Sequence, residues 1–266
     1  MSSIPLYLTG SGVIKREKNT IVIRREGERP VYRPIHRVLS IYNYGTYRFD
    51  TTFLSFLDNA YIPMHIFDRR GRYKGTFYSP PIPSSEVFVR QVEFVLDKDR
   101  IGKFLSALKE AYEYNMTLIK VTLPSDMYKR AILSVFIGLM YATVVDGIYM
   151  THLDPTVLPG VEGRGMPLAY VVFGIYYPSA LDIGMEYLEE GNYTPSEFYS
   201  CGSGICLRST LMKRIISYWE KIASATVRTE RSLIPRRGLI RREFYKIEKH
   251  IMWNVPYRPF RGLWHR

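Results

Sequence analysis

Apolar and polar residues alternate in short runs up to about position 80, the period-2 signature of half-buried strands. Leu6–Leu8, Gly12–Lys15 and Thr20–Arg24 read as early strands, set apart by Gly10 and by Lys18-Asn19. Residues 35–42 and 62–67 are rich in β-branched and aromatic side chains, which fit a pleated surface. Between them, Thr51 or Thr52 is placed to cap a short helix whose Phe53, Leu54, Phe56 and Leu57 share one face. Asp68-Arg69-Arg70-Gly71-Arg72 is a charged turn, and residues 73–78 return from it as a strand. A cationic hairpin tip of this kind suits an anionic partner.

Beyond the proline-rich stretch Pro80-Pro81-Ile82-Pro83-Ser84-Ser85 the apolar period lengthens to that of helices. Helices are expected from Glu86 to about Asp97, from Asp99 through Tyr112, over 127–148, over 211–227 and over 236–252. Residues 166–190 read as a pair of helical segments interrupted by Pro178, because proline lacks the N–H a helix interior needs. The expected fold is therefore α+β and multidomain. A β-rich N-terminal domain spans 1–80, a linker 81–85, and a larger all-α domain 86–266.

Two apolar runs, 131–145 and 166–181, raise the question of a membrane. The first is shorter than a bilayer needs, and the second holds Pro178. Both read as core segments, and Met1-Ser2-Ser3-Ile4-Pro5 does not look like a secretory leader. A cytoplasmic protein is the expectation. Cys201 and Cys206 are too few for a zinc site, and free thiols on a Gly-rich turn are expected, with a local disulfide as the alternative. The 22 tyrosines suit interfaces, though filling strands and helix faces accounts for most of them.

Charge changes the picture more. The formal net charge is +12, and residues 201–266 hold 15 Lys and Arg against four acids, so nearly all of the excess lies in the last quarter. Charge gathered on a few helices makes a local positive potential, and a phosphate backbone is its natural partner. Lys213, Arg214, Arg228, Arg236, Arg237, Arg241 and Arg242 are the candidate DNA contacts. The competing reading is a solvated basic face, or a dock for an acidic protein. No phosphate loop, nucleophile elbow or dinucleotide fingerprint is present, since Gly10-Ser11-Gly12 lacks the following Lys-Ser or Lys-Thr and Gly160 to Gly165 is too irregular.

The stretch Ala60-Tyr61-Ile62-Pro63-Met64-His65-Ile66-Phe67-Asp68-Arg69-Arg70-Gly71-Arg72-Tyr73-Lys74-Gly75, after Leu6-Tyr7-Leu8-Thr9-Gly10-Ser11-Gly12, resembles the N-terminal domain of the CRISPR-associated integrase and endonuclease family ("Cas one"). Those proteins insert spacers into CRISPR arrays in antiviral defence. Leu123-Pro124-Ser125-Asp126, Ala131-Ile132-Leu133-Ser134, Leu153-Asp154-Pro155 and the terminal Tyr257-Arg258-Pro259-Phe260 extend the resemblance through the helical half. The resemblance implies a homodimer, or a heterodimer with an active paralogue, formed through the β-rich domains. It also implies double-stranded DNA as substrate, a small ferredoxin-like adaptation partner, and no membrane.

Active members of the family hold a divalent metal with a Glu, a His and an Asp, and the sequence departs at all three places. The resemblance aligns Ala107 with the Glu, Gly163 with the His and Val171 with the Asp, while Gly174 falls on a later acid. None of these offers a side-chain oxygen or nitrogen to a hard cation. The expectation is a structural, DNA-binding member that has lost the metal site and needs no cofactor. An active, divergent enzyme using Mg or Mn is the alternative, with Glu110, Glu162 or Asp182 as rescue ligands. Asp182 and Glu186 sit one helical turn apart, on one face. A basic protein–protein scaffold is the third reading.

Overall fold

A computed structural model describes residues 3–78, 85–120, 122–158, 166–202, 204–229 and 232–266. The linker 81–85 falls outside it except for the backbone of Ser85, which starts a helix. In chain order the elements are β1 Ile4–Leu8, β2 Ser11–Glu17, β3 Thr20–Arg24, β4 Val31–Pro34, β5 Val38–Asn43, β6 Thr46–Arg48, α1 Thr51–Asn59, β7 Met64–Phe67 and β8 Tyr73–Phe77. They continue as α2 Ser85–Leu96, α3 Lys98–Thr117, α4 Met127–Tyr149, α5 Pro167–Glu189, β9 Phe198–Cys201, β10 Gly204–Leu207, α6 Ser209–Ser224, β11 Thr226–Arg228, β12 Leu233–Pro235 and α7 Arg237–Trp253. The arrangement is mixed α+β, with strands first and helices after. Two short hairpins, β9–β10 and β11–β12, correct the expectation of an all-α remainder. Each pairs only three or four residues around polar or glycine-containing turns, too short to show as a periodic run.

The chain divides into two compact units, 1–79 with 193–216 and 80–192 with 217–266. The first therefore recruits a segment from the region expected to be helical throughout. It contains a sheet of order β1-β5-β7-β8 and a second of order β4-β3-β2-β6. β1, β5 and β7 run parallel, while β7–β8, β2–β3 and β3–β4 are antiparallel. Leu8, Ile14, Ile23, Ile41, Phe53, Leu57 and Met64 form the core between these strands and α1. The cap of α1 is Asp50, whose carboxylate accepts from Phe53 N–H at 2.8 Å, so Thr51 is already helical.

In the second unit α4 and α5 are the buried pair. Both are long and apolar enough to cross a membrane by composition, yet most of each is buried inside this fold. The expected break at Pro178 does not occur: α5 runs unbroken for 23 residues through it. Close burial of Pro178 among Ile175, Tyr176, Ala180 and Leu181 holds a helix that the local sequence disfavours. α3 starts cleanly because the Asp97 carboxylate accepts from the N–H groups of Asp99 and Arg100, both at 3.1 Å.

Candidate functional site

A cavity of about 560 Å³ opens between α3 and α5. From α3 it is walled by Leu105, Leu108, Lys109 and Tyr112, residues three and four apart that share one helix face. From α5 it is walled by Tyr170, Val171, Phe173, Gly174 and Tyr177. Val171 and Gly174, the two positions on α5 where the resemblance calls for acids, thus both face it. Ala107 is half-buried beside the lining residue Leu108. No carboxylate lines the cavity among the described residues. Its rings pack edge to face, Tyr141 on Phe173 at 5.2 Å and Phe173 on Tyr177 at 5.8 Å between centroids. Burial, with Tyr112 nearby, raises the Tyr177 phenol above its ordinary range, so it stays protonated and donates.

A divalent cation does not fit this cavity. Its polar side chains are Tyr112, Tyr170, Tyr177 and the Lys109 ammonium, which faces Glu113 at 3.8 Å, where such an ion needs several anionic or carbonyl oxygens. The rescue ligands are not brought together there. Glu110 is exposed, accepts from Ser106 at 3.4 Å, and faces Arg261 at 3.5 Å. Glu162 and the degenerate position Gly163 lie outside the described residues. Asp182 stands 11 residues after Val171 on the same helix, roughly 16 Å further along at 1.5 Å per residue.

Asp182 does join a cluster of its own. Its carboxylate, that of Glu186 and the His265 ring lie within 4.8 Å of one another. The Arg266 guanidinium already occupies the same space, 2.7 Å from Asp182 and 3.2 Å from Glu186. Burial outweighs the two carboxylates and lowers the His265 pKa, with the Arg266 charge acting in the same direction as burial. A cluster that already holds an internal cation ties His265 and Arg266 to α5, and no metal chemistry is assigned to it.

The sequence-picked cations divide by environment. Lys213 and Arg214 belong to the first unit, the remaining five to the second. Arg214 makes a two-pronged pair with Glu197, both contacts at 2.7 Å, and its hydrogen bond is the largest reason the Glu197 carboxyl sits below its usual range. Arg237 pairs with Glu220 at 2.7 Å. These two already hold internal ion pairs, which a phosphate would have to share or displace. Arg236 is half-buried, and its carbonyl accepts from Trp264 Nε1 at 2.9 Å. Arg241 is exposed and donates to Tyr245 Oη at 2.7 Å. Lys213, Arg228, Arg241 and Arg242 meet no carboxylate among the described residues.

Two motifs that carried the family resemblance turn out to hold the fold. Glu243 on α7 is 1 % exposed, and a buried carboxylate must be fully engaged. It pairs with Lys246 at 2.6 Å and accepts from Tyr257 Oη at 2.7 Å and from Phe260 N–H at 3.2 Å. The Tyr-Arg-Pro-Phe tail is thus fastened by one acid that sequence reading passed over. Its signal was an acid at the register of the apolar face, with Ile240, Phe244 and Ile247. Phe260 then stacks on Tyr176 at 5.5 Å. Gln91 likewise fixes the Leu153-Asp154-Pro155 turn, donating to the carbonyls of Asp154 and Val157 at 2.8 and 3.0 Å and accepting from Asp154 N–H at 2.9 Å.

Cys201 and Cys206, expected as free thiols, form a disulfide across the β9–β10 hairpin, with Cα atoms 5.8 Å apart. The hairpin register brings them close, since Cys201 faces Gly204 and Cys206 faces Tyr199. A spacing of five residues was as compatible with this as with an open turn.

Residues 6–118 match the family model described as CRISPR associated protein Cas1. The chain is 27 % identical to the CRISPR-associated endonuclease Cas1 of Methanothermobacter thermautotrophicus, with 97 % of this chain and 95 % of that protein covered. Among solved structures it is similar in fold to a CAS1 protein from Thermotoga maritima, with TM-score 0.80, 22 % identity, and 94 % and 97 % of the two chains covered. A casposase bound to its integration product has the same fold at TM-score 0.78 and 13 % identity, with 96 % and 92 % covered.

Proposed function

Because the chain belongs to the Cas1 family of CRISPR-associated proteins, the integrase and endonuclease family of CRISPR adaptation, we propose that it serves there as a DNA-binding structural subunit without a metal-dependent reaction of its own. The observation that carries this reading is the carboxylate-free cavity between α3 and α5. Its wall has Val171 and Gly174 where the family resemblance calls for acids. In-line displacement at phosphorus needs charge neutralised on the attacking and leaving oxygens, and this cavity supplies phenols and hydrocarbon instead. The partner is double-stranded DNA in the cytoplasm, held by Lys213, Arg228, Arg241 and Arg242. A second copy, or an active paralogue, would complete the assembly along with the small adaptation partner.

Purified protein titrated with duplex DNA is expected to lose affinity with salt at a log–log slope of about −3.6, from four phosphate contacts. Arg241→Ala with Arg242→Ala is expected to flatten the slope by about 2, whereas Arg214→Ala, already paired, changes it far less. In manganese, neither strand transfer nor cleavage is expected from the chain alone. Strand transfer abolished by Asp182→Ala would establish the active alternative instead. A flat salt response would refute duplex binding.

A further inference from the structure

The β-rich unit has a second cavity, of about 260 Å³. It sits where the parallel strands β1 and β5 end, against residues 9–11 and 44–46. Main-chain bonds fix this floor: Tyr44 N–H donates to the Leu8 carbonyl at 2.9 Å and Thr46 N–H to the Gly10 carbonyl at 2.8 Å. Gly10 adopts φ +84, with no atom within 4 Å of where a Cβ would stand. Ser209, the first residue of the 16-residue helix α6, lines the opposite side, so a helix N-terminus with its positive dipole end borders the space.

Three further features match an oxyanion. Arg69 lines the cavity, is exposed, and meets no carboxylate among the described residues. The acid beside it is already taken, since Asp68 accepts from Arg70 N–H at 2.9 Å, Arg72 N–H at 3.0 Å and Arg72 Nε at 2.9 Å. Arg70 turns instead to the Cys201 carbonyl at 3.1 Å. Second, Tyr44 lines the cavity while only 8 % exposed, and its hydroxyl has no hydrogen-bond partner. Burial pushes that phenol well above its ordinary pKa, so it remains a donor. A buried donor without an acceptor is costly until a ligand supplies one. Third, Ser11, Thr46 and Ser209 add hydroxyls, and the lining includes no acid among the described residues.

We propose that this cavity is a nucleotide site, in which Arg69, Tyr44 and the N-terminus of α6 hold a phosphate and the half-exposed Tyr199 ring faces the base. The volume exceeds that of a phosphate alone, and Tyr199 offers a π-face of the kind that bases stack on. The site goes beyond the duplex contacts and uses none of Lys213, Arg228, Arg241 and Arg242, although Lys213 shares α6 with Ser209.

The test is calorimetric titration of the full chain, disulfide intact, with thymidine 5′-monophosphate, thymidine and inorganic phosphate. No duplex is present, so the outcome is independent of the reading above. The nucleotide is expected to bind at least roughly tenfold more tightly than the nucleoside, with inorganic phosphate competing, because charge-assisted bonds to the phosphate dominate. Arg69→Gln should weaken nucleotide binding roughly tenfold. Tyr44→Phe, which removes only an unbonded hydroxyl and so leaves the fold intact, should weaken it severalfold. A 5′-phosphorylated oligothymidylate that outcompetes the mononucleotide assigns the pocket to a DNA strand; the reverse order assigns it to free nucleotides. Equal affinity for nucleotide and nucleoside, no binding at millimolar nucleotide, or indifference to Arg69→Gln overturns the proposal.

Discussion

The two cavities differ in what they are made of. The larger, between α3 and α5, is hydrocarbon and phenol, with a single ammonium at Lys109. The smaller, in the β-rich unit, is hydroxyls, a guanidinium and a helix end. The first lies where the family resemblance calls for chemistry and contains residues that pack. The second takes Arg69 from the charged turn expected to suit an anionic partner and sets hydroxyls beside it.

If the larger cavity is a packing feature, stability should respond to it most. Phe173→Ala removes a ring in contact with Tyr141 and Tyr177, and is expected to cost about 3 kcal/mol, the low end for such a change because the site already borders open space. Chemical denaturation checks it, and a cost below about 1 kcal/mol would mean the cavity is not held by its aromatic wall. The smaller cavity borders the β9–β10 hairpin through Tyr199 and Leu207. Replacing both Cys201 and Cys206 by Ser is expected to lower stability by about 2 kcal/mol, the loop-closure estimate for so short a ring. Reducing agent should shift the melting of the native protein and leave the double variant unmoved.

Two smaller effects sharpen the contrast. Gly174→Ala should raise stability by about 0.5–1 kcal/mol, because alanine favours the helix and a Cβ there meets nothing within 4 Å. A loss instead would show that something fills the space. In the β-rich unit, burial pushes the Asp68 carboxyl up, but hydrogen bonds from Arg72 and Arg70 outweigh it and hold it below its ordinary value. Its folded pKa is thus depressed, so its stabilising contribution is present above about pH 4 and is lost as pH falls through the folded value. Urea midpoints measured from pH 5 down to pH 3 should fall less steeply in Asp68→Asn than in the native chain.

Much of this was legible from residue order. The strand-first, helix-later division followed from the change of period near the prolines. The resemblance placed Val171 and Gly174 at two acid positions, and both residues line one cavity. Local chemistry misled where tertiary packing overrode it. Pro178 looked like a break and is carried inside one helix. Arg214 and Arg237, candidate DNA contacts, also pair with Glu197 and Glu220, each 17 residues away, which residue order does not show. Long-range assembly was invisible for the same reason. Neither the Arg69, Tyr44 and Ser209 grouping nor the seat of the terminal motif on Glu243 follows a sequence period.

Pro178 has one further consequence. Lacking an N–H, it has nothing to return to the Gly174 carbonyl one turn earlier, and Gly174 stands in the wall of the larger cavity. The helix therefore leaves the Gly174 carbonyl without its ordinary donor, at a residue that lines the cavity. One such carbonyl is far short of the roughly six oxygen ligands that a divalent ion asks for.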